Sequence, residues 1–212
     1  MRPNRAILVL AAAALAATAW AAALQRDRWT CLFSLLPGLA GVAALVVTYP
    51  AFRFSKLVYL FAGVYFVIVA AGARYAYSDA AFLSWAKDSL HLSASHYDFA
   101  EHLVLGIALA LIVRELLVRA GPLVRGRLLS FLSIMVPPSA SALYDSLQWW
   151  AVIFFFPAEG AQWLALEGDR WQMQARTLAV FIGAAMALWT ISRAHDRSMA
   201  AAHHDTTPSA GN

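Results

Sequence analysis

The spacing of charge constrains this chain most: apolar runs of roughly bilayer length alternate with short polar segments, six times over. A helix needs about 20 apolar residues to cross the roughly 30 Å hydrocarbon core, where every backbone polar group must be satisfied internally. The runs at residues 6–24, 29–49, 57–73, 98–118, 128–156 and 175–192 meet that length, given tilt and snorkelling at their ends. Composition agrees. The 212 residues are 61% hydrophobic and only 13% charged, against about 25% charged in a soluble domain, and the mean hydropathy is +0.62. The sequence therefore predicts an all-α polytopic membrane helix bundle with six transmembrane helices. Residues 1–199 form one integral-membrane domain, and residues 200–212 read as a disordered polar tail.

The first run admits two readings. Arg2 and Arg5 before it and Ala21-Ala22-Ala23 at its end suit a signal peptide. Its apolar core exceeds the usual length of about 7–15 residues, which favours a retained helix. Between the third and fourth runs, Phe82, Trp85, Ala86 and Leu90 share one helical face, and Ser84, Lys87, Asp88 and His91 share the other. That pattern predicts an amphipathic helix over residues 80–92 lying at the membrane interface. Pro37-Gly38 and Pro137-Pro138 are expected to disturb the second and fifth spans, because proline removes a donor and clashes with the preceding turn.

Basic residues orient the bundle. Arg2, Arg5, Arg53, Lys56, Arg119, Arg125, Arg127, Arg193 and Arg197 fall on one side, and Arg26, Arg28, Arg74, Lys87 and Arg170 on the other. The richer side is the cytoplasmic one, so both termini are expected in the cytoplasm, and the excess of arginine over lysine with abundant alanine points to a bacterial source. The net charge of +4 does not imply nucleic acid, because these residues are dispersed topologically instead of forming a patch. Cys31 is the only cysteine, which excludes an internal disulfide and a cysteine-rich metal site.

Polar residues inside apolar runs mark the candidate site. Asp98, Glu101 and His102 stand at i, i+3 and i+4 and share one turn at the mouth of the fourth span. In the fifth, Ser141, Tyr144, Asp145 and Gln148 form a stripe at helical spacing, with Asp145 about 25 Å along from Leu128. The sixth enters through Asp169, Gln172 and Gln174, with Arg176 one turn further in. Three helix mouths thus direct these groups towards one periplasmic pocket. Glu115 lies near the opposite end of the fourth span and does not join them.

Each group also has a plain structural role. Asp98 and Glu101 resemble a capping pair that satisfies free N–H groups. Tyr144 and Asp145 suit an interhelical clamp. Arg176 needs a carboxylate partner, with Asp145 or Glu101 the choices. The aromatic residues Trp149, Trp150, Phe154, Phe155 and Phe156 read as lipid-facing belt.

The chain resembles the YjdF-type family of bacterial inner-membrane proteins over roughly residues 25–199. The resemblance rests on Phe52-Arg53-Phe54-Ser55-Lys56-Leu57-Val58-Tyr59, His96-Tyr97-Asp98 with His102, and Arg114-Glu115. It continues through Ser141-Ala142-Leu143-Tyr144, Gly168-Asp169 with Trp171 and Gln174, and Ser192-Arg193 with His195-Asp196-Arg197. The motif order is also similar, more faintly, to that of VanZ-like membrane proteins. The resemblance implies acids where this chain has Gln148, Gln172 and Arg176, glutamate in place of Asp145, and glycine in place of Glu101.

Three functional classes remain. The favoured one is a non-catalytic or degenerate-site membrane protein, with no cofactor and no metal expected, because family acids are replaced. The second is a membrane enzyme acting on a lipid-linked envelope substrate, with His102 as acid–base and Asp98, Asp145 and Asp169 as ligands or orienting groups. The third is a transporter of a small solute or protons. Membrane lipid is the one partner implied directly; a protein partner stays open.

Overall fold

The computed structural model describes residues 5–24, 28–74, 94–155 and 171–204. They form six long helices and no strand: α1 (Arg5–Leu24), α2 (Arg28–Thr48), α3 (Lys56–Arg74), α4 (Ala94–Arg119), α5 (Arg127–Phe155) and a last rod. The rod comprises α6 (Gln172–Met186), a π-helical turn (Ala187–Ile191) and α7 (Ser192–His204). The expected amphipathic helix at 80–92 and Asp169 lie outside the described residues, as does Phe156 of the aromatic group.

Helix ends obey local chemistry. Tyr49-Pro50 closes α2, with Ala51 N–H bonding Thr48 O at 3.0 Å and Phe52 N–H bonding the same carbonyl at 2.8 Å. At the end of α4, the N–H groups of Ala120 and Gly121 both return to Leu116 O, at 2.9 and 3.1 Å, before Pro122 stops the helix. Pro37 lies inside α2 and Pro137 and Pro138 inside α5, and both helices continue through them. The tail expected to be irregular from residue 200 is helical as far as His204, and 205–212 lie outside the described residues.

Helix α3 packs against α1 and α2 on one side and against α4 on the other, while α4, α5 and α6 form the second half. The core runs from Ile7, Leu10 and Ala14 through Leu35, Phe66 and Val69 to Ala110, Leu111, Ala184 and Ala187. The closest seam joins α4 to α6. A Cβ on Gly106 would collide with the Val180 carbonyl, and one on Gly183 with the Leu103 carbonyl, so both positions need hydrogen. Small residues that bring backbones together are what helices use to pack in lipid, where the hydrophobic effect no longer drives them together.

The outer surface is apolar. Trp189 is 87% exposed and Phe155 75%, with Val9, Leu15 and Phe154 similarly open, as hydrocarbon contact requires. Among the described residues, three helices are long and apolar enough to cross a membrane: Arg5–Ala23, Lys56–Arg74 and the rod Gln172–Ala202. Helix α4 is 26 residues long and α5 is 29, but charges within α4 and the serines and prolines within α5 dilute them. This is a helical membrane protein.

Candidate functional site

Two polar clusters occupy opposite ends of the α4–α6 pair. Asp98 and Glu115 are 17 residues apart on α4, about 25 Å along the axis at 1.5 Å per residue. Arg176 and His195 are 19 residues apart on the rod, a separation of similar length. Between the clusters the seam is filled by Ala110, Leu111, Ala179, Val180 and Ala184, all fully buried.

The Asp98 end holds the residues expected from the sequence. Helix α4 begins at Ala94, so Asp98 sits a full turn inside it and is not its cap. The extra turn comes from Ala94 to Tyr97, residues too polar to belong to the apolar run. Asp98 is 6% exposed and ion-pairs with Arg176, whose Nε donates to Oδ2 at 2.7 Å. Asp98 thus takes the partnership that the sequence offered to Asp145 or Glu101. The cause is packing: α6 lies closest to α4, and Arg176 reaches Asp98 across that seam.

His102 Nδ1 lies 2.8 Å from the Asp98 backbone carbonyl and 3.5 Å from its Oδ1. A carbonyl only accepts, so Nδ1 carries the proton, and a neutral ring leaves Nε2 as an acceptor. Asp145, on α5, is also 6% exposed and lies within electrostatic reach of Arg176, His102 and Asp98. Its Oδ2 is buried and accepts no hydrogen bond from a described residue. Glu101 is buried one turn along from Asp98.

Tyr65 of α3 lies within electrostatic reach of Glu101, Asp98 and Tyr144, so α3 also borders this end. Tyr144 is half-exposed, and its hydroxyl accepts from Gln148 Nε2 at 2.9 Å. Gln172 is half-buried and Gln174 is exposed. The structure therefore brings Asp98, His102, Asp145 and Arg176 together and leaves Gln174 at the periphery. Among the described residues, no three His, Cys, Asp or Glu side chains are placed to hold a metal ion.

The Glu115 end is the part that sequence reasoning missed. Glu115 is 0% exposed, and its carboxylate accepts the Ser55 N–H at 2.8 and 3.1 Å. Arg119, one turn on, donates to Glu115 Oε1 and also to the Arg53 carbonyl at 2.7 Å. His195, also 0% exposed, places Nε2 at 3.1 Å from Glu115 Oε2. Its Nδ1 faces Arg114 Nη1 at 3.4 Å. Guanidinium only donates, so Nδ1 accepts and Nε2 carries the proton towards Glu115.

Arg114 and Arg125 both reach Asp196 Oδ1, at 2.8 and 3.3 Å. Glu115 therefore ties the start of α3, the end of α4 and the end of the rod into one knot. The signal was present: Phe52 to Ser55, Arg114-Glu115 and His195-Asp196 all fall at the same end of the bundle, just before α3, late in α4 and late in the rod.

The chain is similar to a protein described as "Inner membrane protein YjdF" from Escherichia coli (strain K12). The two are 30% identical over 175 residues, covering 82% of each chain. No solved structure matches the chain. A family model described as "Predicted membrane protein (DUF2238)" matches residues 6–197. With both the model and the relative spanning most of its length, the chain belongs to the DUF2238 family of membrane proteins.

Proposed function

We propose that this protein is a six-span bacterial inner-membrane protein whose Asp98 end opens to the periplasm as a non-catalytic polar site. The ion pair from Arg176 Nε to Asp98 Oδ2, at 2.7 Å, carries that reading. A metallo-site of carboxylates and imidazole needs its acids free for the ion. Here one acid is committed to the protein's own cation. A guanidinium also raises the cost of placing a divalent ion beside it, by like-charge repulsion in a medium of low dielectric.

Helices α2, α4 and α5 supply the other three spans: α2 is 21 residues long, and the charged groups Asp98, Glu101, Arg114, Glu115 and Asp145 turn inward between helices. Helix α1 is retained as the first span: Ile7, Leu10, Ala14 and Ala21 are buried in the shared core, and Arg74 Nη1 bonds the Trp20 carbonyl at 2.6 Å. Both termini lie in the cytoplasm. The Glu115 end, with Arg53, Arg114, Arg119 and Arg125, then faces the more basic side.

A transport path along α4 and α6 is disfavoured by the Gly106–Val180 and Gly183–Leu103 contacts, which leave no room between the two clusters. The enzyme reading draws on one observation: His102 Nδ1 is fixed by Asp98, leaving Nε2 available as an acid–base towards a periplasmic substrate.

Metal analysis of the purified chain separates these readings. The non-catalytic site predicts no stoichiometric divalent ion, in the wild type or after Asp98→Asn. One ion per chain that disappears with His102→Ala or Asp145→Asn would restore the metalloenzyme.

A further inference from the structure

Resting on the reading of the Asp98 end as a site closed to divalent ions, a narrower inference concerns the ligand that does enter it. Asp145 is the group that the internal network does not use. It is more than nine-tenths buried, its Oδ2 accepts no hydrogen bond from a described residue, and it lies within electrostatic reach of His102, Arg176 and Asp98. Burying a carboxylate oxygen without a donor costs more than leaving most other groups unpaired. The Arg176 guanidinium donates through Nε to Asp98 Oδ2 and makes no hydrogen bond to Asp145 Oδ2.

The neighbouring groups define the chemistry that would complete the site. His102 has committed Nδ1 to the Asp98 carbonyl, so its Nε2 presents a lone pair. Tyr144 Oη, on the turn that carries Asp145, receives Gln148 and keeps its own O–H. An acceptor-rich site of carboxylate and imidazole repels anions. It is poorly matched to calcium or magnesium, which demand several oxygen ligands. A cation with N–H donors fits. Arg176 is already paired with Asp98, which leaves the Asp145 carboxylate for one monovalent cation.

We propose that the cluster receives a primary ammonium group, with Asp145 Oδ2 and His102 Nε2 as its acceptors. The ammonium is a lipid headgroup amine or a small soluble amine. Both present three N–H donors, whereas a quaternary ammonium presents none.

The test uses the full chain in nanodiscs containing phosphatidylglycerol and one zwitterionic lipid of fixed acyl composition. The headgroup is varied from phosphatidylethanolamine through its mono- and dimethyl forms to phosphatidylcholine, and the melting temperature is read. Ethanolammonium chloride is titrated separately into the phosphatidylcholine discs, with tetramethylammonium chloride as the salt control.

The proposal predicts that stability falls as N–H groups are replaced by methyls, or that ethanolammonium stabilises saturably where tetramethylammonium does not. A response to the lipid series alone assigns a headgroup, and a response to ethanolammonium assigns a soluble amine. Asp145→Asn is expected to abolish the lipid difference, or to weaken ethanolammonium binding about tenfold or more, as loss of a charge-assisted hydrogen bond does.

A flat methylation series together with no specific effect of ethanolammonium overturns the proposal. So does a preference that persists unchanged in Asp145→Asn. The methylation series needs no variant, so poor folding of Asp145→Asn leaves the proposal testable. Metal content is a separate readout, so failure of the ammonium proposal is distinguishable from failure of the non-catalytic reading.

Discussion

Asp98 carries two relationships at once: its Oδ2 takes Arg176, and its backbone carbonyl fixes His102. The Arg176 side chain is partly screened and the Asp98 side chain nearly enclosed, at 21% and 9% exposure. Breaking a buried pair by removing one partner typically costs about 3–5 kcal/mol, because the survivor is left charged and unpaired. Partial exposure places this pair at or below the lower end of that range. Arg176→Ala should therefore destabilise the protein in detergent unfolding. Arg176→Ala with Asp98→Asn should recover much of that loss, giving a measurable coupling in a double-mutant cycle. Additive losses would mean that Arg176 is held chiefly by another acid.

The residues of this end were legible in the sequence because charges inside apolar runs are conspicuous. The partner of Arg176 was not. Helical spacing fixes a residue's depth closely but its direction only within a broad sector, and three acids lie in that sector. At the other end, the Ser55 donor to Glu115 is a backbone N–H, which no side-chain pattern reveals.

At the scale of elements, the rod from Gln172 to His204 must serve both clusters, and the π turn at Ala187–Ile191 lies between them. A π turn holds an extra residue and shifts the phase of the helix beyond it, commonly near functional positions. Here it sets the angle between Arg176, which faces Asp98, and His195, which faces Glu115. Thr190 lies on the exposed side of this turn, its hydroxyl bonded to the Met186 carbonyl at 2.7 Å.

Deleting Thr190 would convert the π turn to regular α-helix and keep both flanking segments in phase. Inserting an alanine after Ala185 would instead leave the π turn in place and rotate one cluster by about 100° relative to the other. Thr190 deletion should thus retain a melting temperature much nearer the wild type than that insertion. Equal damage from the two would remove the phase-setting role. The π turn has no sequence signature, since Ala187-Leu188-Trp189-Thr190-Ile191 reads as ordinary span. Five of the six helices, in contrast, begin and end within four residues of the apolar runs, whereas the last rod continues to His204, beyond the run that ends at residue 192. Helix α4 departs most at its start, beginning at Ala94 ahead of the apolar run.

At the scale of the molecule, the two clusters bracket the α4–α6 seam about one hydrocarbon thickness apart, with close-packed glycine and alanine between them. One end is knotted by a fully buried Glu115–His195 contact, and the other keeps an acid, Asp145, outside its hydrogen-bond network. In the proposed orientation, that asymmetry anchors the protein at its cytoplasmic face and leaves it receptive at its periplasmic face. It also gives the orientation a direct test by thiol labelling in intact cells with a membrane-impermeant maleimide. Cys31 is buried and is replaced by serine to clear the background. Gln174 is exposed at the Asp98 end, and Arg125 is 64% exposed at the Glu115 end. The account predicts that Gln174→Cys is labelled from outside the cytoplasmic membrane, and that Arg125→Cys is labelled only after that membrane is permeabilised. Labelling of Arg125→Cys from outside, with Gln174→Cys protected until permeabilisation, would contradict it.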